Sequence, residues 1–103
     1  MKWGSLPMHV MSLKPLRAFW SQHPDSEIPL RAWYRVATHA EWEKFADVRE
    51  VFASADQVGK FTVFNIGGNK YRLIAAIHYT HRKVYVRHVL THKDYNLERW
   101  KNE

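Results

Sequence analysis

An α+β fold, with helices packed on one face of an antiparallel sheet, is predicted by three features of this sequence. From Phe61 to Tyr95, three runs rich in Val, Ile, Phe and Tyr lie between two turn signals, Gly67-Gly68-Asn69 and Thr80-His81-Arg82. That is the pattern of a three-stranded antiparallel meander. Ahead of it, apolar residues recur at helical spacing. The order is therefore a short strand, two or three helices, then three strands. Helices in that order cover one face of the sheet and leave the other for binding.

At 103 residues the chain reads as one domain, 1–103, large enough for a single hydrophobic core. Five Trp, five Tyr and five Phe fill that core and argue against disorder. Sixteen basic against ten acidic side chains give a net charge of +6 with neutral histidine. This favours an anionic partner, nucleic acid ahead of a membrane surface. Many basic proteins have no such partner, so charge alone weighs little. The absence of cysteine excludes disulfide scaffolds, thiolate zinc sites and cysteine nucleophiles. No apolar run approaches the roughly 20 residues that span a bilayer, and the start MKWGSLPMHVMS lacks the apolar segment of a signal peptide. The expectation is a soluble cytoplasmic protein with no membrane partner, whose fold begins at Met8 after an unstructured lead over 1–7.

Met8 to Met11 reads as an edge strand. Ser12 is placed to cap a helix that carries Pro15 in its first turn and Leu13, Leu16 and Trp20 on one face. His23-Pro24 ends it, because a residue before proline is driven out of the helical region. Asp25 or Ser26 caps the next helix, where Leu30, Trp33, Tyr34 and Ala37 form an apolar face. Thr38 and Glu41 have the spacing of a capping box ahead of a short helical piece with Trp42 and Phe45. Val48, Val51 and Phe52 suggest a further turn, and Ser54 to Lys60 a polar connection. The strands follow: Phe61 to Ile66, Lys70 to Tyr79 and Val84 to Leu90. The second is apolar on both faces in its middle, as a central strand should be. Leu97 to Lys101 suggests a last helical turn.

The chemistry-bearing residues gather in and after the meander. Lys70 and Arg72 are two apart and share a strand face. Two cations side by side call for an anion between them, and a phosphate fits, since Arg binds it with two parallel hydrogen bonds. A solvated strand edge is the plainer reading of that pair alone. A hairpin centred on Thr80 to Arg82 sets Arg72 near Leu90 and Arg87 near Ala75, so three cations share a patch if their faces agree. Arg87 and His88 should point to opposite faces. His92 can take or give a proton near neutral pH. Tyr95 can bind a phosphate or, equally well, close the end of the sheet as a half-buried ring. His78-x-x-His81 crosses a turn and lacks a third ligand, so a metal site is not expected.

Val63-Phe64-Asn65-Ile66-Gly67-Gly68-Asn69-Lys70-Tyr71-Arg72-Leu73, followed by Val89-Leu90-Thr91-His92-Lys93-Asp94-Tyr95, resembles the HigB-type toxins, RelE-like components of bacterial toxin–antitoxin pairs. Lys14 to Trp20 and the stretch Ala46 to Asp56 join the resemblance, which spans roughly Met8 to Asn96. It implies a microbial-RNase-type fold and an mRNA endonuclease acting within the ribosome without metal or other cofactor. It also implies a helix-turn-helix antitoxin of HigA type, with which it forms a hetero-oligomer. By position it implies Arg72, Arg87, His92 and Tyr95 as catalytic residues, and Lys70, Asn69 and Lys93 as RNA-binding ones. From the residues alone, a basic RNA- or ribosome-binding module without catalysis stands nearly level, as does a domain whose basic face docks an acidic protein.

Overall fold

The computed structural model describes residues 6–102, so residues 1–5 of the expected lead lie outside the described residues. Five strands, β1 (His9–Val10), β2 (Asp56–Val58), β3 (Phe61–Ile66), β4 (Tyr71–His78) and β5 (Lys83–Thr91), form one sheet in the order β1-β5-β4-β3-β2. The strands from β2 to β5 pair antiparallel, and β1 joins β5 in parallel, with His9 against Lys83. Helices α1 (Lys14–Gln22), α2 (Glu27–His39) and α3 (Phe45–Val51) cover one face, and α4 (His92–Asn96) follows β5 directly. Among the described residues, no helix is long and apolar enough to cross a membrane.

The helices form for the reasons the spacing gave. Pro15 stands in the first turn of α1, where its missing N–H costs nothing. Leu13 occupies the cap position expected of Ser12, whose hydroxyl still accepts the Lys14 N–H at 3.1 Å. In α2, Leu30, Trp33 and Ala37 are buried. The expected Thr38–Glu41 capping box does not form. Thr38 lies inside α2 and donates its hydroxyl to the Arg35 carbonyl at 3.2 Å. Burying Ala37 carries α2 on to His39, and Trp42 then enters the core from a loop.

Phe64 is the centre of the main core. The rings of Trp33, Trp42 and Phe52 surround it at centroid distances of 5.4, 6.3 and 5.2 Å. Ile66, Tyr71, Leu73, Ala75 and Val84 complete the helix-facing side of the sheet. The polar connection expected over 54–60 instead contains β2, which makes a hairpin with β3. Its residues are mostly exposed and show no apolar alternation, as befits a short edge strand.

The opposite face is not left bare. Phe61, Val63 and Ile74 there form a second cluster with Trp100, from the 3₁₀ turn Arg99–Asn102. Glu98, with φ at 60°, turns the chain back so that this tryptophan lies on the sheet. Ile74 is thus buried from one side and Leu73 from the other, which makes β4 the central strand expected of it.

Asp25, in the connection between α1 and α2, ties the helices to β4. It accepts the Tyr71 hydroxyl at 2.6 Å and the Lys70 ammonium at 3.1 Å. The tyrosine hydrogen bond, then the Lys70 one, hold the Asp25 carboxyl below its usual 3.8. The same bond, followed by desolvation, holds the Tyr71 hydroxyl above its usual 10.0. The tie therefore stabilises fully between those values. It is lost as pH falls through the depressed Asp25 pKa, and again as pH rises through the raised Tyr71 pKa. Asp25→Asn is expected to lower the urea midpoint at pH 7 and to make stability fall less steeply below pH 4. An unchanged acid limb in urea titrations at pH 2 to 7 would refute the assignment.

Candidate active site

The turn after β3 needs positive φ at consecutive residues, and Gly67 and Gly68 supply it at 63° and 68°. The tight hairpin sets Asn65 directly opposite Arg72, and β5 sets Leu90 on the other side. Both Arg72 and Asn65 stand on the face away from the helices, since Tyr71 and Leu73 take the core side. Arg72 is only 9% exposed. Its Nη1 donates to the Asn69 carbonyl at 3.3 Å and to the Tyr71 carbonyl at 3.2 Å, and its Nη2 to Asn69 Oδ1 at 2.6 Å. A guanidinium has five N–H donors, so these three bonds leave two for a ligand.

The C-terminal element is fastened to this end of the sheet. The His92 N–H donates to the Lys70 carbonyl at 3.1 Å, and Thr91 Oγ1 caps α4 by accepting the Asp94 N–H at 3.2 Å. The Tyr95 ring then comes within 5.3 Å of the Arg72 guanidinium, a cation–π contact. Its other neighbour is Trp100, stacked at 5.2 Å, whose indole N–H donates to the Tyr95 carbonyl at 3.0 Å. His92 is exposed, and Asn96 Nδ2 lies 3.1 Å from its Nδ1. That contact orients the ring, and which partner donates depends on the imidazole tautomer. Among the described residues no group of three or more His, Cys, Asp or Glu side chains gathers as a metal ligand set. The chemistry on offer is that of a guanidinium, an imidazole and a phenol.

Of the residues singled out in the sequence, Arg72, Asn69 and Tyr95 come together, the His92 backbone is fastened to the same end of the sheet through the Lys70 carbonyl, and Lys93 stands exposed on α4. Asn69 faces Arg72 and orients it. Lys70 does not share the Arg72 face. It belongs to the turn ahead of β4, and its ammonium pairs with Asp25. Arg87 does not complete a patch of three cations either. Ile74 pairs with His88 and Ala75 with Val86, so Arg87 is the extra residue of a β-bulge. The bulge turns Arg87 and His88 to the same face, where each lines a different cavity, instead of to opposite faces. Asn65 and Asn96 escaped the sequence reading. Register across the Gly67-Gly68 turn would have found the first, and the i, i+4 spacing from His92 the second.

A protein-family model described as HigB toxin, RelE-like toxic component of a toxin–antitoxin system, matches residues 26–98. The chain belongs to the HigB toxin family. The mRNA interferase toxin HigB of Escherichia coli K12 is 32% identical over 93 residues, covering 87% of this chain and 89% of that protein. The mRNA interferase HigB of Escherichia coli O6:H1 is 28% identical over 92 residues, covering 86% and 89%. An equally similar relative to the first, the mRNA interferase HigB of Shigella flexneri, is 32% identical over 93 residues. The span matched by the HigB family model contains Asn65, Arg72, His92 and Tyr95 and stops short of Trp100.

Proposed function

We propose that this HigB-family toxin is an endoribonuclease that cuts mRNA by using the RNA's own 2′-hydroxyl. The observation that carries this reading is Arg72: nearly buried, oriented by Asn69, and left with two donors beside Tyr95 and the His92 end of α4. In the reaction the 2′-oxygen attacks the adjacent phosphorus, its proton passes to solvent, and the bond from phosphorus to the 5′-oxygen breaks. Arg72 offers its remaining fork to the phosphoryl oxygens as charge develops there. His92, in its imidazolium form, donates its Nε2 proton to the departing 5′-oxygen and is left neutral. Tyr95 keeps the guanidinium in place from above, and Asn65 and Lys93 border the path of the strand. The products are a 2′,3′-cyclic phosphate and a 5′-hydroxyl.

The names of the relatives and the family description support an mRNA substrate and an antitoxin partner. We extend this, on the resemblance, to action on the ribosome in the cytoplasm and to a hetero-oligomer with a HigA-like helix-turn-helix antitoxin. The test is primer extension on a reporter message in a bacterial host induced for wild type, His92→Ala or His92→Gln. Cleavage by the wild type, lowered about 100-fold in both variants, is the expected result. Cleavage at the wild-type rate in both would remove His92 from the reaction. Growth arrest without a cut message would replace the nuclease with an RNA- or ribosome-binding toxin.

A further inference from the structure

Farther along the same sheet face lies a cleft that the Arg72 centre does not use. Its volume is about 520 Å³, and Lys60, Phe61, Ala76, Ile77, His78 and Arg87 line it. No carboxylate lines it. Among the described residues neither Lys60 nor Arg87 has a carboxylate partner. Each instead lies against an aromatic ring: the Lys60 ammonium 5.3 Å from the Phe61 centroid, and the Arg87 guanidinium 5.7 Å from that of Tyr85. Tyr85 also holds His78 edge-on, at 5.1 Å. Among the described residues the cleft thus presents two cations without a carboxylate partner, with the His78 ring in its lining packed against Tyr85. The bulge at Arg87 helps make it, because a regular strand would not bring Arg87 and His88 to the same face.

We infer that this cleft is a second subsite for the substrate RNA. Lys60 and Arg87 bind phosphates there, and a base packs against the His78–Tyr85 pair. The inference rests on the endoribonuclease reading and deepens it. Arg72, Ala76 and His78 stand on one face of one strand. At about 3.3 Å per residue, the cleft begins roughly 13 Å from Arg72 and ends roughly 20 Å from it. Stacked nucleotides advance about 3.4 Å each, so the two places are about four to six stacked nucleotides apart, and fewer if the strand is extended. Between them Trp100 covers Ile74 and Phe61. The strand must therefore pass over or around that ring. Binding energy from a remote subsite is what holds the scissile phosphate in register with a few fixed groups. A cationic groove with aromatic faces is the ordinary means of binding single-stranded RNA.

The test separates this subsite from the cleavage reaction. Two fluorescein-labelled 2′-O-methyl RNAs, a trimer and an octamer, cannot be cut because they lack the nucleophile. Their binding to wild type, Lys60→Ala, Arg87→Ala and Lys60→Gln is followed by anisotropy, with Arg35→Ala on α2 as a control for charge. The cleft variants should weaken octamer binding by about tenfold, the loss of one charge-assisted phosphate contact. They should flatten the salt dependence by about 0.7 per cation removed and leave the trimer unaffected. Octamer affinity unchanged in Lys60→Ala and Arg87→Ala, or reduced equally in Arg35→Ala, would overturn the subsite. So would equal losses for trimer and octamer, which would make the cleft part of the cleavage centre. Octamer binding that depends on Lys60 and Arg87, with no cleavage of messages in the host, would support the subsite and overturn the nuclease reading alone.

Discussion

Replacing Arg72 with alanine is expected to lower message cleavage by about 100- to 1,000-fold, the usual effect of removing one preorganised donor from a developing oxyanion. Arg72→Lys is expected to recover little of this, because a single ammonium cannot both bond Asn69 and present a fork to a phosphate. The geometry makes the two jobs separable. The edge toward Asn69 is anchored by hydrogen bonds, and two donors remain for the substrate. Asn69→Ala leaves the guanidinium its two carbonyl bonds and removes only the short bond to Asn69 Oδ1, so it should cost less than Arg72→Ala and lower the turnover rate more than it raises KM. The measurement is single-turnover cleavage of a labelled message, with thermal unfolding of each variant to exclude misfolding. A folded Arg72→Ala protein that cuts at the wild-type rate would move the phosphate site elsewhere, and the cleft at Arg87 would then be the first place to look.

Much of this centre was legible before any coordinates. The alternation of Tyr71, Leu73 and Ala75 set Arg72 on the other face of the strand, and the doubled glycine marked the hairpin, although the register that brings Asn65 opposite Arg72 was not read from it. The helices were legible too, because Leu30, Trp33 and Ala37 follow the helical period. What escaped were features set by contacts distant in sequence or by backbone irregularity. Lys70 was grouped with Arg72 on strand parity. The strand begins only at Tyr71, and Asp25, 45 residues away, draws the ammonium toward the helices. The bulge at Arg87 defeats any parity argument after it, since one inserted residue exchanges the faces. β2 is polar, exposed and three residues long, so nothing in its composition separates it from a loop. The return of Trp100 to the sheet depends on Glu98 adopting a positive φ, for which a glutamate gives no local signal.

That return carries the largest expected effect on stability. Trp100 is 3% exposed, packed on Phe61, Val63 and Ile74 and stacked on Tyr95, with its indole N–H bonded to the Tyr95 carbonyl. Trp100→Ala is expected to destabilise the fold by about 3–5 kcal/mol, out of roughly 5–15 kcal/mol for a typical domain. Trp100→Phe keeps most of the ring and loses chiefly the indole hydrogen bond, so about 1 kcal/mol is expected. Urea titration followed by far-UV circular dichroism gives both values. The two variants also bear on the site, because the only ring stacked on the far side of Tyr95 among the described residues is that of Trp100. If Trp100 supports Tyr95, and Tyr95 in turn Arg72, Trp100→Phe should retain most of the cleavage at a small cost in stability. Trp100→Ala, measured well below its unfolding temperature, should lose cleavage in the folded protein as well. A stable Trp100→Ala protein with a midpoint within experimental error of the wild type would mean that this face of the sheet does not depend on its C-terminal cover. The Arg72 centre would then owe its order to its hydrogen bonds with Asn69 and the Tyr71 carbonyl.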